Sequence, residues 1–409
     1  MTDFLITNGV AAQYPARHYG AHFTGNRATY CLEQDFAGFD ANVQAIPNLP
    51  VTSLVASAVT TGAQFFGAHV KYAENAAQSE CSIGTVRSHD IENGKSRWQF
   101  IETSDNVWDF TALDAWVDAH YRAGRDMVFT LFGTPTWASA RPTERNAYSD
   151  QDPEVVQYNR GIAAEPSDMT KWDRFCTKIA IRYLGKIKYY EVWNEPNYQN
   201  DGTGPTSTFG YFTGTYAKLA EMVRRASQAI KAVDPSVKII CPPTTAWATT
   251  AGGTAETYFT GMLAASDGAA GAMKNWIDIV GVHLYILGND ITKMSLMIDR
   301  VKAGMTTAGV SGLEIWDTES APIAPDVSGM SAQAAQLFIV RSMMIQAAKG
   351  VARTIYFQYD DPTMGIKHTG AVSYRERIRL LLMSGKIRAA YIFNDGRVGY
   401  YTTGGLSTI

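Results

Sequence analysis

The sequence predicts a (β/α)8 barrel. Three observations predict it: eight short apolar runs spaced along the chain, amphipathic helical stretches between them, and polar or aromatic residues where each run ends. The runs fall at 64–70, 84–88, 126–132, 188–193, 237–241, 277–284, 313–317 and 354–358. Strands separated by helices are expected to lie parallel, and eight of them close the sheet on itself.

Each element has a local cause. The first two runs end at His69 and at Arg87-Ser88-His89-Asp90. The clearest helix follows over 110–122, where Leu113, Trp116, Val117 and Tyr121 recur at helical spacing before Gly124 stops it. Met127-Val128-Phe129-Thr130-Leu131 is the third strand, ending in Thr134-Pro135-Thr136-Trp137. Ser167 or Asp168 caps the next helix, which carries Trp172, Phe175, Ile179 and Tyr183 and is closed by Gly185.

The fourth run, Tyr189-Tyr190-Glu191-Val192-Trp193, leads straight into Asn194-Glu195-Pro196-Asn197. A helix over 216–233 is broken by Asp234-Pro235 before the fifth strand. The sixth ends near His283, whose two-residue spacing from Tyr285 puts both on one face of the strand. Gly309 and Gly350 punctuate the passages into the last two strands. The seventh closes at Trp316-Asp317-Thr318-Glu319, and the eighth reads Tyr356-Phe357-Gln358-Tyr359.

Three segments are expected: an N-terminal extension at 1–60, the barrel at 61–380, and a C-terminal β-hairpin appendage at 381–409 turning at Asn394-Asp395-Gly396. A hairpin alone is marginal in water, so it must pack on the barrel, pair with N-terminal strands or continue in a partner chain. With 36 Lys and Arg against 39 Asp and Glu, the net charge of −3 offers no electrostatic reason for nucleic acid or an anionic membrane as partner. No apolar stretch reaches the roughly 18 residues that cross a bilayer. No signal peptide is visible at Met1-Thr2-Asp3-Phe4, which is compatible with an intracellular protein, a phage-borne one or a trimmed secreted one. Cys31, Cys81, Cys176 and Cys241 match no zinc spacing and read as free thiols. The oligomeric state is not legible.

Glu195 and Glu319 carry the chemistry. A barrel builds its active face from the C-terminal ends of its strands, and both glutamates stand there. Two such carboxyls suit glycoside hydrolysis, in which one protonates the leaving oxygen and the other attacks or activates water.

The motifs resemble those of a known group, the clan A glycosidases, retaining (β/α)8 barrels with an acid/base Asn-Glu after strand four and a nucleophilic Glu after strand seven. Val86-Arg87-Ser88-His89, Trp108-Asp109-Phe110, Gly133-Thr134-Pro135-Thr136-Trp137 and His283-Leu284-Tyr285 are most similar to glycoside hydrolase family 39 and its bacterial exopolysaccharide-cleaving relatives. The resemblance implies Glu195 as acid/base and Glu319 as nucleophile, with Asn194 on the hydroxyl beside the reacting carbon and Tyr285 orienting the nucleophile. Arg87 is expected to keep Glu319 ionised, while an apolar wall and the charge of Glu319 keep Glu195 protonated. The chain departs from the group at strand eight, where a tryptophan platform is common and Tyr359 stands in.

Trp137 is the expected sugar platform, whereas Trp193 and Trp316 lie within strands and are expected to pack in the core. His89 and His283 join the expected substrate-binding set. No metal or cofactor is expected: no histidine pair has helical ligand spacing, and no glycine-rich dinucleotide fingerprint follows a strand. Asp317 is a second carboxylate that strand alternation would turn to the same side as Glu319. The expected activity is endo-cleavage of a bacterial exopolysaccharide or capsule, with long loops after strands three to five walling a groove. The alternatives are a non-catalytic carbohydrate-binding barrel and an exo-acting β-xylosidase-like enzyme.

Overall fold

In the computed structural model, the described residues are 61–77, 82–89, 91–146, 160–198, 210–247, 254–269, 271–286, 290–322 and 332–360, with short terminal strands and a few residues of 365–383. Eight parallel strands close into a barrel. They are β1 (Phe66–His69), β2 (Thr85–Arg87), β3 (Asp126–Leu131), β4 (Tyr189–Val192), β5 (Lys238–Ile240), β6 (Ile279–His283), β7 (Glu314–Ser320) and β8 (Arg353–Tyr356). Each pairs with its neighbour in sequence order and β8 returns to β1. All eight expected strands are present, with ends moved by a few residues.

Helices α1 (Thr111–Arg122), α2 (Met169–Arg182), α3 (Tyr216–Val233), α4 (Thr254–Ala264), α5 (Thr292–Ala308) and α6 (Ala332–Ala348) alternate with the strands. Of the two candidate caps for α2, Asp168 is the one used: its carboxylate accepts the Thr170 N–H. Gly309 ends α5 at φ +74°, a left-handed conformation that costs glycine nothing. The first unit departs from the regular repeat. Among the described residues, the link from β1 to β2 carries only a 3₁₀ segment, Ala73–Ala77.

Beside the barrel, Val51–Val55 pairs antiparallel with Ala389–Phe393, which continues into Val398–Thr402 and Gly405–Thr408 to make a four-stranded sheet. This sheet touches α6. The C-terminal segment thus contributes three strands rather than a lone hairpin, and an N-terminal strand supplies the fourth. The expected turn at 394–396 lies outside the described residues.

Side-chain hydrogen bonds that cross between non-adjacent strands identify the barrel interior and its layers. At the floor, Arg353 of β8 reaches Thr85 Oγ1 on β2 at 2.8 Å, Tyr189 Oη on β4 at 2.9 Å and Asp126 on β3 at 2.7 Å. Its guanidinium lies 4.1 Å from the Trp316 ring and 4.5 Å from that of Tyr189. Above it, Val128, Ile240, Ile279, Trp316 and Ile355 form a buried apolar cluster separate from the main core between sheet and helices. Above this band lie the polar groups of Arg87, Thr130 and Glu191.

Trp316 is 1% exposed and joins the apolar band to the cation beneath it. Trp316→Ala is expected to lower unfolding free energy by about 3–5 kcal/mol, read from denaturant midpoints, with Trp316→Phe losing clearly less. A midpoint unchanged in the alanine variant would show the interior band to be dispensable.

Candidate active site

Arg87, at the end of β2, is the hub of the barrel mouth. Its Nε donates to Glu191 Oε1 at 2.8 Å, and Nη2 donates to the same oxygen. Nη1 donates to Glu319 Oε2 at 2.6 Å, and Nη2 to Asn194 Oδ1 at 2.7 Å. The side chains of Arg87 and Glu191 are completely buried. A buried charge demands pairing, and one guanidinium provides it across β2, β4 and β7, all of its bonds to Glu191 falling on Oε1 while Oε2 has no hydrogen-bond partner among the described residues.

Glu319 reaches this hub through a break in strand alternation. Trp316 points into the barrel, so a regular strand would turn Asp317 and Glu319 outward together. The pairing with β6 shifts instead: Val282 stands opposite Asp317, but His283 stands opposite Glu319. The inserted residue is Thr318, and the bulge returns Glu319 to the interior. Tyr285 Oη then donates to Glu319 Oε1 at 2.8 Å, and His69 Nε2 stands 4.0 Å from Oε2 while donating to the Thr318 carbonyl at 3.1 Å.

The expectation that Asp317 shares the face of Glu319 is therefore corrected. Its carboxyl accepts from the Leu284 N–H at 3.2 Å, from Gln346 Nε2 of α6 at 2.8 Å and from Ser320 Oγ, on the helix side of the sheet. Burial pushes it up to about 7 against those hydrogen bonds.

Glu195 follows β4 in a strained turn, with φ +68° at Trp193 and +43° at Glu195, where non-glycine residues are uncommon. Two clasps hold the turn. Trp193 Nε1 donates to the Tyr211 carbonyl at 2.9 Å, and the Asn197 amide pairs with the Thr245 backbone through bonds of 2.8 and 3.0 Å.

Glu195 Oε1 lies 2.7 Å from His283 Nδ1. Burial, with Arg87 adding to it, drops His283 to about 4, so its ring is uncharged near neutrality. The two carboxyls therefore differ in partner: Glu319 faces a cation and a phenol, Glu195 a neutral imidazole. Donor atoms of Glu195, His283 and Glu319 all lie within 4.8 Å of one another. The three are of types that could hold a metal ion, but the Arg87 charge against Glu319 opposes one.

The remaining expected binding residues are placed unevenly. His89 is 5% exposed and edge-on to Phe132 at 5.0 Å. Trp137 is half-buried, yet its indole donates to the Glu102 carbonyl at 3.2 Å, lies edge-on to Trp98 and carries Lys171 at 5.0 Å from its ring. These contacts direct it toward α2, not toward the carboxyls. Tyr359 is 1% exposed and offers no ring face to a ligand; the half-buried aromatic at that strand end is Phe357, against His69 at 5.1 Å. Trp193 and Trp316 are buried in the core. Asp90 and the segments 147–159, 199–209 and 248–253 of the loops after β3, β4 and β5 lie outside the described residues. Sequence reasoning left Glu191 without a role, although a carboxylate inside an otherwise apolar strand implies a buried cation nearby.

Comparison with known proteins bears on the family and the fold. Residues 106–320, more than half of the 409, match the family model described as Cellulase (glycosyl hydrolase family 5). No curated protein matches the sequence. Among solved structures, a monomeric β-xylosidase from Caulobacter crescentus is similar with a TM-score of 0.56 at 16% identity, over 87% of this chain and 76% of that one. A glucosidase from Croceicoccus marinus gives 0.53 at 17% identity, over 86% and 73%. A family 39 enzyme from Xanthomonas axonopodis pv. citri gives 0.54 at 18%, over 85% and 73%. At these identities the structures share the fold.

The buried titratable groups set a dependence of stability on pH. His283 at about 4 and His120 at about 3, against 6.5 in an unfolded chain, take up protons on unfolding, so each lowers stability as pH falls below about 6.5. Asp317, at about 7 against 3.8, binds its proton in the folded state first and opposes one of them. Between pH 4.5 and 6.5 the net expectation is stability rising with pH by about 1.4 kcal/mol per unit. Replacing both histidines, His120→Gln with His283→Gln, is expected to reverse that slope in denaturant midpoints measured across the interval; an unaltered slope would refute the assignment.

Proposed function

The chain belongs to the cellulase family, glycosyl hydrolase family 5, and is a glycoside hydrolase; from that premise we propose that it cleaves a polysaccharide by double displacement, with Glu195 as acid/base and Glu319 as nucleophile. One observation carries the reading. Carboxylate oxygens of Glu195 and Glu319 lie within 4.8 Å of each other, the spacing of retaining enzymes at about 5–5.5 Å rather than the roughly 6.5–9.5 Å of inverting ones.

In the first step a Glu319 oxygen bonds to the anomeric carbon as the glycosidic C–O bond breaks. The released electron pair goes to the leaving oxygen, which takes the proton of Glu195. In the second step ionised Glu195 takes a proton from water, whose oxygen bonds to the anomeric carbon, and the ester electron pair returns to Glu319.

Each partner supports one role. Arg87 and Tyr285 hold Glu319 as an oriented anion. Neutral His283, donating from Nδ1 to Oε1, orients Glu195 without setting a charge beside it. Asn194, whose side-chain oxygen accepts from Arg87, is the residue proposed for the neighbouring sugar hydroxyl.

The substrate proposed is a bacterial exopolysaccharide or capsule, cut internally; the motif resemblance and the length of the loops after β3, β4 and β5 support it. An exo-acting β-xylosidase-like activity is the second reading, favoured by the likeness to the Caulobacter enzyme.

The test is release of reducing ends from bacterial exopolysaccharides, β-glucans and xylans, alongside p-nitrophenyl β-D-xyloside and β-D-glucoside. Glu195→Gln and Glu319→Gln are each expected to lower turnover at least about a thousandfold, and the first product seen by proton NMR is expected to keep the substrate's anomeric configuration. An inverted first product would end the double-displacement reading. Glycan binding without cleavage of any probe would favour a binding barrel.

A further inference from the structure

Resting on the double-displacement reading, we infer that Glu191 is a positioning residue that serves as the permanent counter-ion of Arg87, keeping that cation paired by direct hydrogen bonds while Glu319 loses its charge. Glu191 lies two residues inside the end of β4, completely buried, and its Oε1 collects Arg87 Nε, Arg87 Nη2 and Thr130 Oγ1, the last at 3.1 Å. It is placed below the reacting carboxyls and touches neither substrate nor leaving group in the scheme above.

In the resting site Arg87 faces two carboxylates, Glu191 and Glu319. When Glu319 bonds to the anomeric carbon, its negative charge is consumed in the ester. Were Glu319 the sole counter-ion, the ester would leave the buried guanidinium with no anion hydrogen-bonded to it, the negative charge having passed to Glu195 beside His283, and a buried ion pair broken in this way costs several kcal/mol. With Glu191 in place the pair beneath the site remains balanced through both steps. A guanidinium is a rigid planar fork, so the bonds to Nε and Nη2 also fix the direction in which Nη1 meets Glu319 and Nη2 meets Asn194. The other polar groups at this level are His69, Tyr285, Thr130 and His283 with Glu195. Among them Arg87 is the fixed cation.

The claim separates charge from shape. Glu191→Gln keeps the shape and an acceptor oxygen but removes the charge; Glu191→Asp keeps the charge with a shorter reach. On whichever of p-nitrophenyl β-D-xyloside, β-D-glucoside or β-D-cellobioside the wild-type enzyme turns over fastest, Glu191→Gln is expected to lower kcat by about 10- to 100-fold with KM within about threefold, and Glu191→Asp to recover most of the loss. In an Arg87→Met background, adding Glu191→Gln is expected to change kcat by less than about threefold, because the charge to be balanced is gone.

If Glu191→Gln or Arg87→Met alone is recovered unfolded, the double variant, which buries no lone charge, carries the test: it is expected to fold where the single variants do not, and its failure to do so would overturn the pairing. A further tenfold fall in the Arg87→Met background, or an equal loss in the Asp and Gln variants, would overturn the counter-ion role. Failure of the underlying reading has a different signature: the wild-type enzyme takes up no label from 2,4-dinitrophenyl 2-deoxy-2-fluoro-β-D-xyloside, -glucoside or -cellobioside, judged by intact mass.

Discussion

Everything at the mouth of this barrel depends on where the Arg87 charge goes. A guanidinium with no solvent exposure must be enclosed by anions and acceptors, and Glu191, Glu319 and Asn194 enclose it from strands on different sides of the barrel. That requirement explains why three chain segments separated by over a hundred residues converge within hydrogen-bonding distance. It also creates the inequality between the two glutamates. Both lie at strand ends and both are nearly buried, yet the cation sits on one and a neutral imidazole on the other.

Much of the fold was legible because alternating runs of strand and helix leave few topologies open. Helix stops at Gly124, Gly185, Gly309 and Gly350 marked four of the returns to the sheet, and all four glycines adopt the left-handed conformation for which a stop of this kind calls. The two glutamates stood out for a related reason. Carboxylates directly after apolar strands are brought to one end of a parallel barrel by its topology alone. His283 and Tyr285 were legible as a pair through their spacing; the structure sends one to Glu195 and the other to Glu319.

The rest was hidden where local pattern and three-dimensional pairing part. One inserted residue at Thr318 reverses which side of the sheet the following residue faces, and nothing in the composition of β7 announces it, so Asp317 looked equivalent to Glu319. The aromatics misled differently. Trp137 and Tyr359 stand at strand ends, where a sugar platform belongs, but an indole or phenol is also what fills the gaps between a barrel and its helices. Their direction is set by Trp98, Glu102 and the buried surroundings of the last strand. Glu191 could have been flagged from its apolar neighbours, although its partner lies 104 residues away in sequence.

The Arg353 layer at the floor carries an implication for how such a molecule diversifies. Its cation is satisfied by Asp126, Thr85 and the rings of Trp316 and Tyr189, and the apolar band separates it from Arg87. Two storeys in one shaft, each built around an arginine, are thereby separated from each other. Lineages could rebuild the upper storey for a new glycan while inheriting the lower one unchanged, and foundations and specificity would drift at different speeds.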